Sequence, residues 1–174
     1  YLAGAAFGLN PLGDDRPQLP LVLLVGVDAR TLVRGRVLAG VAVGLPVAVL
    51  LPAAGAGLGA PPGVAAAFAG VGGLLCATAS TFAVGVGTAY PVYEERKFWG
   101  SETVVPSTLV MLTYLAVVSG GTAVGLVLTW YGLAGLTLSL GLGAGLAAYL
   151  LLTLGIPYGC YRYAVRRYRR YTFD

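Results

Sequence analysis

The chain has 174 residues, of which 57% are hydrophobic and 10% are charged, and its formal net charge is +4 at pH 7. In a soluble domain roughly a quarter of all residues are charged. The low charged fraction of this chain therefore excludes an ordinary soluble domain and indicates a protein that lies in a membrane. The positive balance comes largely from arginines near the C-terminus. This is typical of a membrane-facing anchor rather than of a nucleic-acid interface, so no nucleic-acid partner is expected.

Charged residues are confined to four patches that are separated by long uncharged stretches. The patches are 14–36, 94–102, 162–170 and Asp174. No Asp, Glu, Lys or Arg occurs in 37–93 or in 103–161. A helix needs about 20 residues to cross the hydrocarbon core, so each uncharged stretch is long enough for two crossings. The sequence therefore predicts an all-α membrane protein, a polytopic helical bundle with four full transmembrane helices plus an amphipathic cytoplasmic segment.

The N-terminal part of the chain precedes the first predicted crossing. Residues 1–9 are apolar but too short to span, and we expect them to be the remnant of a preceding crossing in a longer protein. Residues 10–36 open with a turn and continue with an apolar run, 19–25, that is also too short to cross. Asp28 is expected to cap a short helix that starts at Ala29.

This segment, 10–36, allows two interpretations from its residues alone. Arg30 and Arg34 are spaced i and i+4 and therefore share one side of the expected short helix. One interpretation is a surface amphipathic helix whose arginines snorkel to the headgroups. The other is a docking element for a protein partner, formed by Leu19, Leu21, Leu23, Leu24, Asp28, Arg30 and Arg34.

The predicted crossings follow in two hairpins. They are 37–58, 64–90, 103–130 and 133–158. Ser101 is expected to cap the third crossing, with Pro106 in its first turn, and Tyr131–Gly132 is expected to form a tight turn before the fourth. The loop 91–102 and the basic tail 159–174 return to the charged side, which holds all eleven Lys and Arg residues. That side is predicted to be cytoplasmic, in a multi-pass protein of the cell membrane.

The second crossing contains the most polar cluster of the predicted membrane interior, Thr78, Ser80 and Thr81. Hydroxyl groups in membrane helices usually bond to their own helix or to a neighbouring helix. The alternative is that these three side chains line a substrate pathway.

Several classes of activity lack the residues that they need. The chain has no histidine, and no acidic or basic residue lies in the predicted crossings. Intramembrane proteases and proton-coupled transporters depend on such groups. The chain also has no Gly-Lys-Ser/Thr phosphate-binding loop. We therefore expect no catalytic residues, no metal site, no cofactor and no enzymatic activity in this chain, and any ATP hydrolysis is expected from a partner.

Short motifs in the charged patches resemble those of a known family. They are Asn-Pro-Leu-Gly-Asp-Asp at 10–15, Leu-Pro-Leu-Val-Leu-Leu at 19–24, Val-Asp-Ala-Arg at 27–30, Arg-Gly-Arg at 34–36, Pro-Val-Tyr-Glu-Glu at 91–95 and Val-Pro-Ser at 105–107. Together they resemble the permease subunits of ABC transporters of the exporter-like second type, particularly archaeal ones, over nearly the whole chain. The chain would be the C-terminal portion of such a permease, which usually has about six crossings.

The resemblance implies a membrane-spanning subunit that forms the substrate pathway and is coupled to a separate ATPase. It also implies a homo- or heterodimer with another permease, surrounded by membrane lipid. The segment 10–36 would be the ATPase-docking element. Two alternatives remain, which are a structural or accessory membrane subunit without transport activity and an uncoupled channel.

Overall fold

A computed structural model describes residues 2–15, 21, 24, 26–93, 95–98, 101–104, 106–135 and 140–170. Within these ranges the chain forms six helices and one antiparallel hairpin. The helices are α1 (Leu2–Gly8), α2 (Pro11–Asp15), α3 (Ala29–Gly57), α4 (Pro62–Ala89), α5 (Thr108–Leu133) and α6 (Leu140–Arg169). The hairpin strands are β1 (Glu95–Phe98) and β2 (Ser101–Val104), with Glu95 opposite Val104 and Phe98 opposite Ser101.

Helices α3 to α6 are long and apolar enough to cross a membrane. They contain 29, 28, 26 and 30 residues, and each includes an 18-residue window of high mean hydropathy with at most two charged residues. At 1.5 Å per residue each helix exceeds the roughly 30 Å of a hydrocarbon core. The predicted fold class, an all-α polytopic bundle with four transmembrane helices, is confirmed.

Helix α4 lies at the centre of the bundle and contacts α1, α3, α5 and α6. The short helix α1 packs against both α3 and α4. Small residues permit this close approach, because a Cβ atom on Gly40 of α3 would lie 2.8 Å from the Ser80 hydroxyl oxygen of α4. By contrast, α5 and α6 barely touch each other.

The buried side chains form two clusters. One cluster joins α4 and α5 around Tyr114, which is fully buried and stacks on Phe82 with 6.2 Å between the ring centroids. The other lies where α2, α3, α4 and α6 meet, and comprises Leu12, Ala29, Val33, Val84, Ala164, Val165 and Tyr168. Most large apolar side chains elsewhere on the four long helices are exposed, as a lipid-facing surface requires.

The structure corrects the expected separation between the helix at Ala29 and the first crossing. A short helix at Ala29 was expected to precede a separate crossing from residue 37, but α3 is one continuous helix from Ala29 to Gly57. Its first turns are held in the bundle because Ala29 and Val33 are buried in the second cluster. Asp28 occupies the N-cap position, yet its side chain makes no capping hydrogen bond.

The third crossing also begins later than expected. It starts at Thr108 rather than 103, and Ser107 rather than Ser101 is the N-cap, accepting a 3.2 Å hydrogen bond from the Val110 amide. Residues 101–104 belong to the hairpin instead. The Ser107 cap therefore sets the start of α5, and Pro106 just before it is compatible with a helix that begins there.

The end of α5 and the extent of α6 differ from expectation too. No turn forms at Tyr131–Gly132, because α5 continues to Leu133 and ends near Gly135, whose φ of 68° suits a helix terminus. Helix α6 does not end at 158. It passes through Pro157 and continues to Arg169, so most of the predicted basic tail is helical.

Candidate functional site

One end of the bundle gathers charged residues, and we call it the charged end. It contains Asp14, Asp28, Arg34, Arg36 and Arg169, together with the start of α3 and the end of α6. Asp28 and Arg169 approach to 3.5 Å, and the Arg34 Nε donates a 3.2 Å hydrogen bond to the Tyr161 hydroxyl. Both contacts join α3, or the residue just before it, to α6.

Asn10 fastens the N-terminal turn to the segment that follows α4. Its side-chain Nδ2 donates to the Val92 carbonyl at 2.9 Å, and its Oδ1 accepts from the Val92 amide at 3.0 Å. Asn10 is only 3% exposed, so both hydrogen bonds are shielded from water. Loss of the Asn10 side chain would leave the Val92 N–H and C=O groups without these partners, at a cost to stability of about 1–3 kcal/mol for each group that stays buried and unsatisfied.

Arg36 holds the same turn from the side of α3. Its Nη1 donates to the Asp14 carboxylate and to the Phe7 carbonyl, each at 3.3 Å, and its Nη2 donates to the Pro11 carbonyl at 3.4 Å. Leu12, between these contacts, is fully buried in the second cluster. The turn and the start of α3 are therefore one packed unit.

The predicted docking residues fall into three groups. Leu21 and Leu24 are exposed, at 66% and 83%, and Arg30 is exposed at the start of α3. Asp28 and Arg34 instead contact α6 through Arg169 and Tyr161, so Arg34 does not form a matched pair with Arg30. Leu19 and Leu23 lie outside the described residues.

The three predicted pathway hydroxyls are not brought together. Thr78 donates to the Leu75 carbonyl at 3.2 Å and Thr81 to the Ala77 carbonyl at 2.8 Å, both within α4. Ser80 is 2% exposed and faces the close approach of α1 and α3. Thr78 lines the cavity between α4, α5 and α6 that is described next, whereas Ser80 and Thr81 are not part of its lining.

That cavity lies between α4, α5 and α6, near the middle of the helices, and we call it the apolar cleft. Its volume is about 440 Å³. Its lining is almost entirely apolar and includes Phe82, Val118, Gly121, Gly145 and Leu152. Tyr149 lines it as well and bridges α6 to α5, because its hydroxyl donates to the Gly121 carbonyl at 2.9 Å.

Sequence reasoning missed both Asn10 as a fastening residue and the apolar cleft. The available signals were the turn residues at 10–13 and the glycines at 120, 121 and 145, but neither pattern identifies its contact partner. Among the residues that the structure describes, no group of three or more His, Cys, Asp or Glu side chains could hold a metal ion.

No protein-family model, curated protein or solved structure matches this chain. The fold itself defines the class of protein. The chain is a multi-pass α-helical membrane protein with a packed charged end and an apolar cleft between three of its helices.

Proposed function

We propose that the chain is a membrane-spanning permease subunit of an ABC-type transporter. It contributes to the substrate pathway, and a separate ATPase subunit hydrolyses ATP. The observation that carries the proposal is the pair of exposed leucines, Leu21 and Leu24, between two parts of the chain that are fixed to the bundle. Large exposed apolar side chains outside the crossings are a common mark of an interaction site.

Both flanks of this exposed pair are anchored. On one side the turn at Asn10 is bonded to Val92, and on the other side α3 begins at Ala29, which is buried. A partner that binds Leu21 and Leu24 would therefore be connected on both sides to parts of the chain that are anchored in the bundle. Motion of the partner would reach α3 at its first turn.

Helix α3 supplies the route from the docking segment into the membrane. It continues from Ala29 to Gly57 without interruption, although Pro46 and Pro52 lie inside it. Each proline removes a backbone hydrogen bond and permits a bend. The helix contains no proline before Pro46, so a displacement at the charged end would tilt the first half of the crossing. Such coupling requires the docked segment to differ in free energy between the two states of the ATPase.

A positive charge beside the two leucines would orient the partner that binds them. Arg30 is exposed at the start of α3 and, among the described residues, is the cationic residue nearest to the two leucines in the sequence. An acidic partner surface would be steered by such a group, which raises the association rate and the specificity more than the affinity. Arg34 takes a different role, since its contact with Tyr161 ties α3 to α6.

The test is recovery of an ATPase with the full-length protein from its native membranes. The tagged protein is solubilised gently, a photoreactive ATP analogue labels any bound nucleotide-binding subunit, and ATP hydrolysis is assayed. Exchanging Leu21 and Leu24 for Asp is expected to weaken association by about a hundredfold or more, because each buried leucine contributes about 1.5–3 kcal/mol.

The control variants separate docking from folding. Arg30→Glu is expected to weaken association more at low salt than at high salt. Arg166→Glu makes the same charge change at an exposed position of α6 and is expected to retain the ATPase. Recovery of no ATPase with the wild-type protein, or equal recovery with all variants, contradicts the proposal. Ion flux through the purified protein alone would instead favour an uncoupled channel, and absence of both activities an accessory subunit.

A further inference from the structure

We infer that the apolar cleft binds one linear alkyl chain of a membrane phospholipid as a specific ligand of this subunit. The inference goes beyond the proposed permease function, because it requires neither an ATPase nor transport. It rests on the shape of the cleft, on its largely apolar lining and on the hydrogen bonds that two of its three hydroxyl groups make within the protein.

The glycines of the cleft create its space instead of bringing helices together. A Cβ atom added to Gly120, Gly121 or Gly145 would meet no other atom within 4 Å. Gly40 and Gly125 behave differently, because a Cβ there would collide with Ser80 or with the Tyr149 hydroxyl. The cleft therefore exists because side chains are missing from faces that no neighbouring helix fills.

Three side chains of the lining carry a hydroxyl group, and they are Thr78, Tyr149 and Thr153. Thr78 and Tyr149 both donate their hydroxyl hydrogens to backbone carbonyls of the protein, at 3.2 Å and 2.9 Å. Most other lining residues, such as Val118 and Leu152, offer hydrocarbon. A ligand with several polar groups would lose the hydrogen bonds that it makes with water and find few partners in this lining. An alkyl chain has no such groups to desolvate.

Size and position favour an alkyl chain over a helix from a second copy. The cleft volume of about 440 Å³ lies within the usual 300–1,000 Å³ of small-ligand sites. A helix with its side chains is about 10–12 Å across. It could not lie along a cleft that the Tyr149 side chain spans by a direct hydrogen bond between α5 and α6. A single hydrocarbon chain is much narrower than a helix and does not require that bridge to break.

Entry from the bilayer follows from the contacts of the helices. Helices α5 and α6 barely touch apart from the Tyr149 bridge, and the cleft beside them is not enclosed by protein. The lining residues lie midway along α4 and α5, far from both membrane surfaces. The occupant that is present at this depth at high concentration is the lipid chain itself.

The test uses the full chain reconstituted in vesicles that contain phosphatidylcholine with a photoreactive diazirine near the end of one acyl chain. Wild-type protein is expected to be labelled mainly in 117–124 and 145–157, with labelling that saturates and is displaced by excess unlabelled phosphatidylcholine. Exchanging Gly121 and Gly145 for Leu places two apolar side chains in the cleft, at positions where an added Cβ atom meets nothing within 4 Å. This double variant is expected to lose about tenfold of that labelling, which corresponds to about 1.4 kcal/mol.

A matched control is Gly155→Leu. Gly155 is also on α6, and a Cβ added there would also meet no atom within 4 Å, but Gly155 does not line the cleft. Its labelling is expected to equal that of the wild type. The inference is overturned if labelling spreads evenly over the lipid-facing helices, if the double variant and Gly155→Leu behave alike, or if only a free diazirine fatty acid labels the cleft. Cross-linking of Thr153→Cys between two copies, with loss of lipid labelling, overturns it as well.

Discussion

At the scale of single residues, Gly13 lies where the chain leaves no room for a side chain. A Cβ atom at this position would collide with the Val92 carbonyl oxygen and with the Asn10 side chain. The Asn10 amide itself occupies both hydrogen-bonding groups of Val92. The tight fit therefore protects the hydrogen bonds that fasten the turn to the bundle.

Gly13→Ala is expected to destabilise the protein by about 1–3 kcal/mol, the usual cost of forcing extra volume into a packed site. Gly35→Ala is the matched control, since a Cβ at Gly35 meets nothing within 4 Å and Gly35 lies inside α3. It is expected to stabilise by about 0.5–1 kcal/mol. Thermal unfolding in detergent, followed by circular dichroism, measures both. Equal shifts for the two variants would show that the Gly13 contact is unimportant.

Residue roles were only partly predictable from the sequence. The Asn-Pro step at 10–11 predicts a turn from local chemistry alone. That Asn10 bonds to Val92, 82 positions along the chain, depends on how α1 and α4 pack, which no local pattern encodes. The hydroxyls of α4 show the same limit. Composition identifies Thr78, Ser80 and Thr81 as polar, but only packing decides that Thr78 alone reaches the cleft.

At the scale of elements, the continuity of α3 decides whether the charged end can act on the membrane helices. From Arg30 to Leu45 the helix contains no proline, and Val33 fixes its first turns in the core. A surface helix followed by a bend would let the two parts move separately. One continuous helix makes them move together.

Spin labels at Arg30 and Leu45 test this continuity, since both side chains are exposed. Fifteen residues at 1.5 Å per residue place the two backbone positions about 22 Å apart in an unbroken helix. Pulsed electron paramagnetic resonance on the double cysteine variant, with Cys76 and Cys160 replaced by Ala, is expected to give one narrow distribution near that length. A broad or clearly shorter distribution would indicate a break near residue 36.

Element number and type were predictable, whereas element ends were not. Charge-free stretches predict crossings because a bilayer penalises charge, and α4 at Pro62–Ala89 lies close to the predicted 64–90. The start of α5 at Thr108 depends on the Ser107 cap, and its end depends on the positive φ of Gly135. The sequence contains both residues, but the predicted bounds of this crossing were taken from the length of the uncharged stretch.

At the scale of the whole molecule, charge separates the two ends of the bundle. Contacts between Asp28 and Arg169 and between Arg34 and Tyr161 bring the start of α3 and the end of α6 to one end. This arrangement follows from four antiparallel crossings, because an even number of crossings returns the chain to the end at which it began. The spacing of the charged patches along the sequence was enough to predict that these two segments lie at the same end. The packing of α1 on α3 and α4 was not predicted, because residues 1–9 carry no periodic signal.

The orientation of this bundle in the membrane is the last prediction. All eleven Lys and Arg residues lie at or before residue 36, between α4 and α5, or within 162–170, so the charged end is expected to face the cytoplasm. Single cysteines are placed at Leu58, Arg30 and Arg166 in a chain whose Cys76 and Cys160 are replaced by Ala. Leu58 is 91% exposed beyond the end of α3.

A thiol reagent that cannot cross the membrane should then modify the Leu58 position in intact cells and spare the other two, which should react only after the membrane is permeabilised. The reverse pattern would place the charged end outside and would remove the access that a cytoplasmic ATPase needs to Leu21 and Leu24. Labelling of all three positions in intact cells would contradict the four-crossing topology itself, because that topology places Leu58 on one side of the bilayer and both arginine positions on the other.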